Sequence, residues 1–300
     1  MNRLLRLVRF LTFSFILCAA AFAARAANTS FAATYTGQGS GAASCGTTFS
    51  ISGQEPSAAG TYPVFVYMAG TSETYTNAAA TAAVTGMANR GYVAATVQYD
   101  SGSFGTCAQI SGKAQCIFDA SSATSAIRAL CGRAKADCSK GIVVGGFSQG
   151  SIIAMLAKNY DGGVQAAYGM GAGVAYSTFD LRSCVANGNR SLTSDRLRAV
   201  DGELDQFLGG SQANVQSQLQ ELTGFTCAAG SYTCYQPNNS GWQIVKSSQV
   251  ADGSADHCYM RASGNFCTGS QSKLDAGWQS GADTWELGAN LDWLTGFTQH

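Results

Sequence analysis

The sequence predicts an α/β domain with a mostly parallel central sheet and helices on both of its faces. Short apolar runs, which are typical of strands buried in a parallel sheet, alternate along the 300 residues with alanine-rich stretches of helical length. No repeat of fixed period and no long polar linker interrupts this alternation. Hydrophobic residues make up 46% of the chain, enough for a large core. We therefore expect one domain over residues 27–300, with a small flap and disulfide-stapled loops.

The first half of the predicted sheet begins with antiparallel edge strands, because Ala27–Gly60 contains short alternating pieces such as Phe49–Ile51. Beyond these, near-continuous apolar runs predict buried strands, and proline-free, alanine-rich stretches predict helices. In chain order the predicted elements are strand Tyr62–Met68, helix Thr76–Asn89 closing at Gly91, strand Tyr92–Tyr99, a glycine- and serine-rich loop Gly102–Gly112, and helix Ile117–Leu130.

The second half continues the alternation and adds one irregular segment. Tyr176–Arg196 is polar and irregular, which predicts a small flap. The segment between Gly171 and Arg196 is too short for a large lid, so we expect a fairly open cleft. The other predicted elements are strand Gly141–Phe147, helix Ser151–Asn159, strand Val164–Met170, strand Leu197–Val200, helix Gln212–Thr223, strand Trp242–Val250 and helix Trp285–Leu294.

The first 26 residues have the pattern of a signal peptide. A basic start, Met1–Arg9, precedes the apolar run Phe10–Ala24, and small residues follow. Cleavage is expected after Ala24-Arg25-Ala26, with Ala21-Phe22-Ala23 as the alternative. The apolar run is about 15 residues, short of the ~20 that a spanning helix needs. We therefore expect a secreted or periplasmic protein; the alternative is an uncleaved membrane anchor.

The charge pattern excludes a nucleic-acid binder. Charged residues make up only 12% of the chain, and its formal net charge is zero. Four arginines lie in the first 26 residues, so the remainder has 14 basic and 18 acidic side chains, a formal charge of −4. A mildly acidic protein without lysine or arginine clusters has no surface suited to a phosphate backbone.

The cysteines independently indicate export. Of 11 cysteines, Cys18 leaves with the signal peptide, and an even ten remain, as expected for a disulfide framework in an oxidising compartment. Connectivity cannot be deduced from sequence; proximity along the chain favours four neighbouring pairs, with two cysteines left over. The neighbours are Cys107/Cys116, Cys131/Cys138, Cys227/Cys234 and Cys258/Cys267, and the remaining two are Cys45 and Cys184. A zinc site is not expected, because no C-x-x-C pair occurs.

The most informative motif is Gly146-Phe147-Ser148-Gln149-Gly150, a G-x-S-x-G sequence. It lies between a predicted strand and a predicted helix, the context of a nucleophile elbow. In that turn the serine backbone is strained so that its Oγ projects, and glycines two residues away on either side leave room for neighbouring backbone. The alternative is an ordinary turn, because chance matches are easy in a chain rich in glycine and serine.

On these residues the chain resembles the α/β-hydrolase family, in particular its secreted serine esterases of dienelactone-hydrolase-like or polyester-depolymerase-like type. The resemblance runs from about Tyr62 to Met260, with a family-like helix at the C-terminus. It implies a triad in the order serine, acid, histidine.

The resemblance selects the candidate triad partners. His257 follows the strand after which the family places its base, and His300, the other histidine, is the last residue. A strand followed by G-x-x-D singles out Asp205 as the acid; Asp201 and then Glu203 are the alternatives. Cys258, if paired with Cys267, would hold the histidine loop in place.

The resemblance also implies an oxyanion hole formed by two backbone amides. One is expected from Gln149. The other is expected from Thr71, with Gly70 as the alternative; here the chain has Ala-Gly where related esterases often carry His-Gly. Six aromatic residues near the motif loops are candidates to line the substrate pocket: Tyr75, Phe147, Tyr176, Phe179, Phe207 and Trp242.

The expected function is therefore hydrolysis of carboxylic esters, small or polymeric, by an exported serine esterase that uses Ser148, His257 and Asp205 through an acyl-enzyme. We expect no metal or organic cofactor, no nucleic-acid partner, no stable membrane anchor and a monomeric protein. The alternatives are a serine peptidase or an acyltransferase on the same fold, or a non-catalytic binding protein that keeps the fold.

Overall fold

A mixed sheet of nine strands organises the computed structural model, which describes residues 27–37, 45–262 and 264–300. The predicted signal peptide lies outside these residues. The strand order is β1-β2-β4-β3-β5-β6-β9-β11-β10. In this order, every pair of neighbouring strands from β4 to β11 is parallel. The strands are β1 Asn28–Tyr35, β2 Phe49–Pro56, β3 Val64–Met68, β4 Val93–Val97, β5 Ile142–Phe147, β6 Val164–Met170, β9 Leu197–Gly202, β10 Thr233–Tyr235 and β11 Gly241–Val245, with β7 Ala175–Tyr176 and β8 Phe179–Asp180 forming a separate hairpin.

Helices cover both faces of the sheet, as predicted. Side chains alternate along the central strands, so that Val64 and Val66 of β3 enter one core and Phe65 enters the other. The first core is closed by α2, α3, α4 and α6, and the second by α1, α7 and α8. The helices are α1 Ala78–Ala88, α2 Cys107–Phe118, α3 Ala126–Cys131, α4 Gln149–Leu156, α5 Arg182–Val185, α6 Gln212–Thr223, α7 Ala276–Ser280 and α8 Leu287–Thr295.

Most predicted elements are present, with ends shifted by a few residues. Strand Val164–Met170 and helix Gln212–Thr223 have the predicted bounds, and the antiparallel edge strands β1 and β2 lie within the expected segment. The strand predicted over Trp242–Val250 ends early, at Val245. Its continuation turns at Lys246, whose N–H donates to Gln249 Oε1 at 2.9 Å. The predicted flap contains the β7–β8 hairpin and the short α5.

The prediction for residues 102–130 is wrong. Helix α2 begins inside the predicted loop, because Thr106 forms a capping box with Gln109. It ends at Phe118, in the first turn of the predicted helix, and α3 begins only after Ser125, whose side chain caps it by accepting from the Arg128 N–H. Gly112 lies buried within α2, so a glycine that indicated a loop is instead part of a helix.

All ten cysteines of the described ranges form disulfides, but two of the pairs differ from the proximity prediction. Cys45 pairs with Cys116, and Cys107 with Cys184. Cys107 and Cys116 both belong to α2, and nine residues of α-helix rise about 13.5 Å. That distance exceeds the ~7 Å Cα separation that a disulfide can bridge. The three remaining predicted pairs are confirmed: Cys131–Cys138, Cys227–Cys234 and Cys258–Cys267.

Removing a disulfide is expected to destabilise the protein in relation to the length of chain that it closes. In the chain-entropy description, the Cys107–Cys184 link, with a sequence separation of 77, contributes about 4.5 kcal/mol. The Cys131–Cys138 link, with a separation of 7, contributes about 2.5 kcal/mol. Serine double variants of each pair, compared by thermal unfolding, should show the larger fall in Tm for Cys107/Cys184.

Alkylation of the native, unreduced protein provides the control. Almost no thiol should react, and reductant should lower Tm sharply. Several free thiols in the native protein, or an unchanged Tm in reductant, would contradict the disulfide framework.

The parallel strands place several loops at one edge of the sheet. The segments that follow β3, β5, β6, β9 and β11 all leave from the carboxyl ends of adjoining parallel strands. In open α/β sheets this edge is where ligands bind. Among the described residues, no helix has the length and apolarity needed to cross a membrane.

Candidate active site

Ser148 lies in a strained turn between β5 and α4. Its φ of 53° and ψ of −120° place a non-glycine residue in a region that costs about 1–3 kcal/mol. The turn is held by hydrogen bonds on both sides: the Ser148 N–H donates to the Met170 carbonyl at 2.8 Å, and the Ser148 carbonyl accepts from Ser151 Oγ at 2.6 Å. Hydrogen bonds to the sheet and to the helix therefore hold the strained backbone conformation in place.

The glycines of the motif are required by close backbone packing. A Cβ added at Gly146 would lie 2.3 Å from the Gly150 carbonyl oxygen. A Cβ added at Gly150 would lie 2.1 Å from the Met68 carbonyl oxygen, at the end of β3. Neither contact can be relieved by moving a flexible side chain. The spacing of the motif thus reflects two contacts, one within the turn and one with the neighbouring strand.

His257 lies in the loop after β11 and contacts the predicted acid. Its Nδ1 is 2.5 Å from Asp205 Oδ2, and the histidine side chain is 4% exposed. Phe147 and Phe207 pack on the imidazole, with ring centroids 4.9 and 4.7 Å away. With Nδ1–H donating to a carboxylate, the neutral ring has an unprotonated Nε2, which can accept a proton.

A glycine makes room for this imidazole. A Cβ added at Gly171 would lie 2.7 Å from His257 Cε1, and the glycine has a φ of +60°. The residue follows β6, beside the strand that carries Ser148. Gly171 therefore allows the imidazole to lie against backbone next to the elbow.

Asp205 is fully buried, and its two carboxylate oxygens have different hydrogen-bond partners. Oδ2 contacts the histidine, while Oδ1 accepts from the Phe207 N–H at 2.8 Å and the Leu208 N–H at 3.3 Å. Burial on its own would raise the pKa of Asp205, but the interaction with His257 and the hydrogen bonds to the carboxylate hold it below its ordinary value. Asp205 is therefore ionised at neutral pH.

The two alternative acids have other partners. Asp201 Oδ1 accepts from the Gly202 N–H at 2.9 Å, and Asp201 is fully buried at the end of β9. Glu203 Oε1 accepts from the Ser247 N–H at 2.6 Å, and its Oε2 accepts from the Tyr232 hydroxyl at 2.8 Å. Of the three candidates, the structure places Asp205 against the histidine.

The loop after β3 distinguishes between the two candidate oxyanion amides. The Gly70 N–H donates to Glu73 Oε2 at 2.8 Å and is therefore occupied. No residue in the described ranges accepts from the Thr71 N–H. The Gln149 N–H is at the first position of α4, where a helix leaves its amides without helical partners. The amides of Thr71 and Gln149 thus have no acceptor among the described residues, and Thr71 lines the same cavity as Ser148.

Sequence reasoning missed a buried ion pair that links two loops of the site. Glu73 Oε1 contacts Arg261 Nη2, and both side chains are 6% exposed or less. Glu73 Oε2 also accepts from Asn77 Nδ2 at 2.9 Å, in addition to the Gly70 amide. The pair ties the loop of Thr71 to the loop of His257. No local sequence signal marks two residues that are so far apart in the chain.

Ser148, His257 and Thr71 line one cavity of about 550 Å³. Its lining combines aromatic and polar side chains. The aromatic residues are Phe104, Phe147, Tyr176, Phe179 and Phe207, and the polar residues include Ser72, Glu73, Arg261 and Gln271. The hairpin of the predicted flap contributes part of the aromatic lining. Such a cavity suits a ligand with an apolar part and a polar part.

Four of the six predicted pocket aromatics line this cavity, and two do not. Trp242 is fully buried in the core, where its Nε1–H donates to the Phe225 carbonyl at 2.8 Å. Tyr75 lines a separate cavity of about 260 Å³. Phe104, which was not predicted, packs on Tyr176 with ring centroids 4.7 Å apart. A larger groove of about 1060 Å³, between α1 and the two C-terminal helices, is lined by neither Ser148 nor His257.

Two clusters of side chains within the described ranges have the composition of a metal site. One contains Asp256, Cys258 and Cys267, but the two sulfurs are joined in a disulfide and cannot act as thiolate ligands. The other contains Asp201, Asp205 and His257, in which the histidine is already hydrogen-bonded to a carboxylate.

No protein-family model and no curated protein sequence matches the chain. A solved structure of a cold-adapted esterase from an Arctic intertidal metagenomic library is similar to it, with a TM-score of 0.54 at 10% identity, over 91% of this chain and 95% of the other. A lidless α/β serine hydrolase from Xanthomonas campestris has a TM-score of 0.46 at 13% identity, over 72% of this chain and 82% of the other. An S-formylglutathione hydrolase from Agrobacterium tumefaciens has a TM-score of 0.46 at 14% identity, over 73% and 86%. The match along nearly the full length of the first structure, together with the sheet order, shows that this protein has the α/β-hydrolase fold.

Proposed function

We propose that residues 27–300 form a single catalytic domain, an exported serine hydrolase that cleaves carboxylic esters through Ser148, His257 and Asp205. The observation that carries the proposal is that a serine in a strained elbow and a histidine bound to a buried carboxylate open onto the same cavity. Because one fold hosts many functions, the proposal rests on these residues rather than on the fold.

In the proposed reaction the same groups act twice, first in forming the acyl-enzyme and then in hydrolysing it. His257 Nε2 takes the proton of Ser148 Oγ as that oxygen attacks the ester carbonyl carbon. The amides of Thr71 and Gln149 stabilise the resulting oxyanion, and Asp205 stabilises the imidazolium. The imidazolium then protonates the leaving alcohol, which gives an acyl-enzyme on Ser148. Water, deprotonated by Nε2, attacks the acyl carbon, releases the carboxylic acid and restores the serine.

The cavity supports an ester with an apolar acyl group. The rings of Phe147 and Phe207 pack on His257, whereas the ion pair and Gln271 add polar groups to the cavity lining. The five disulfides support an oxidising compartment, and hence export.

Two assays test the proposal. A fluorophosphonate probe should label the native protein at Ser148 and should fail to label the Ser148→Ala variant. A panel of p-nitrophenyl esters of rising chain length, with a polymeric ester and a peptide substrate in parallel, should show turnover of esters in preference to amides. Absence of labelling would indicate a non-catalytic protein, and preferential cleavage of the peptide would indicate a peptidase.

A further inference from the structure

Asp201 is a second buried carboxyl group beside the proposed triad. It lies one residue before the end of β9 and four residues before Asp205, and both side chains are completely buried. Polar side-chain atoms of Asp201, Asp205 and His257 all lie within 4.8 Å of one another. The proposed mechanism uses only two of these three groups.

The two oxygens of Asp201 differ in their surroundings. Oδ1 accepts from the Gly202 N–H, whereas Oδ2 is buried and has no hydrogen-bond partner among the described residues. A buried ionised oxygen without a donor is strongly disfavoured. A proton on Oδ2 would remove the charge and turn this oxygen into a hydrogen-bond donor.

The neighbouring groups favour a neutral Asp201. Burial, followed by the charge of Asp205, raises the pKa of Asp201 well above its ordinary value. The other titratable groups that face it, besides His257 behind Asp205, are Tyr176 and Tyr259, and burial raises the pKa of each phenol, so that both are uncharged. These surroundings favour a negative charge on Asp205, which has the amide and histidine donors, and a proton on Asp201, which has fewer donors.

We propose that Asp201 is a positioning residue that stays protonated and donates a hydrogen bond from Oδ2 to the Asp205 carboxylate. The inference rests on the proposed function. With this bond, Asp205 accepts from the Phe207 and Leu208 amides, from His257 and from Asp201, which fills the four acceptor positions of a carboxylate. The carboxylate is thereby fixed against His257, and its basicity is limited.

Infrared spectroscopy tests the protonation state without any catalytic assay. At neutral pH the native protein should show the carbonyl stretch of a protonated carboxylic acid, and the Asp201→Asn variant should lack it. Because Asp256 is another buried carboxyl with a raised pKa, Asp256→Asn serves as the matched control and should leave the Asp201 band in place. A difference spectrum between native protein and Asp201→Asn without that band would overturn the proposal.

The pH dependence of kcat/KM tests the role in the triad. The Asp201→Asn side chain is uncharged and can still donate a hydrogen bond, so kcat should fall only about threefold. The acidic limb of the profile, which reports the histidine, should not move. Asp201→Ala removes the donor, leaves Asp205 more basic and should raise the apparent pKa of the acidic limb by about one unit, with kcat about 30-fold lower and KM little changed.

An ionised Asp201 would give a different result. Asp201→Asn would then remove a negative charge near the imidazolium, and the acidic limb would move to lower pH. If Asp201→Asn and Asp201→Ala lost kcat equally and neither moved the acidic limb of the pH profile, Asp201 would be a merely structural residue. That result would also overturn the proposal. If Ser148→Ala kept its activity, the proposed function would fail instead, while the infrared result would still decide the protonation of Asp201.

Discussion

Replacing Ser148 or His257 by alanine is expected to abolish nearly all ester hydrolysis while leaving the fold intact. Each single change should lower kcat by a factor on the order of 10⁶, because the serine and the histidine act as one unit in a triad. For the same reason, the Ser148→Ala/His257→Ala double variant should be little slower than either single variant. Initial rates on the best p-nitrophenyl ester, with circular dichroism to verify folding, measure this effect.

Matched controls are available for both changes. His300→Ala removes the other histidine, which packs edge-to-face against Tyr92 with ring centroids 5.2 Å apart. Ser139→Ala removes an exposed hydroxyl that precedes β5, at the end of the strand opposite to Ser148. Both controls should keep the native rate. A double variant far slower than either single variant would show that the two residues act independently, which would contradict the triad.

Asp205→Asn is expected to lower kcat by a factor on the order of 10⁴. The amide cannot accept from Nδ1–H as a carboxylate does, so the imidazole loses both its favoured tautomer and the charge that stabilises the imidazolium. Since the Oδ1 position can still accept from the Phe207 and Leu208 amides, the loop should keep its conformation. Steady-state kinetics should show the loss in kcat rather than in KM.

The other two candidate acids provide the comparison for this variant. Glu203→Gln should have little effect, because Glu203 is bonded to Tyr232 and to the Ser247 amide, away from the histidine. Asp201→Asn should cost far less than Asp205→Asn. Losses that were equal or in the reverse order would assign the acid to Asp201.

Features that depend on a few consecutive residues could be predicted from the sequence. The elbow at Ser148 needs a strand, a tight turn and a helix, and its glycines meet backbone immediately around the motif. The parallel strands of the sheet centre are short runs of buried apolar residues on both faces, and such runs are recognisable in a chain with few charges. These signals are local, so no knowledge of distant contacts was needed.

Residues 102–130 show where local signals were insufficient. Glycine and serine within α2 indicated a loop, but the helix packs its apolar side, including Ile110 and Ile117, into the core. Tertiary packing can outweigh a weak helix propensity. The cysteine pairing depended on the same error, since once α2 is a helix Cys107 and Cys116 are too far apart to bond.

The sequence by itself determined the fold class, the elbow and the small set of residues from which a triad could be formed. Only the tertiary structure decided which acid contacts His257, which amide after β3 is free, and that Glu73 pairs with Arg261. These contacts join segments that follow different strands, and their geometry depends on how the loops converge at the carboxyl edge of the sheet. The spacing of residues along the sequence does not predict how these loops converge, because burial and hydrogen bonding between distant loops are established only when the sheet has formed.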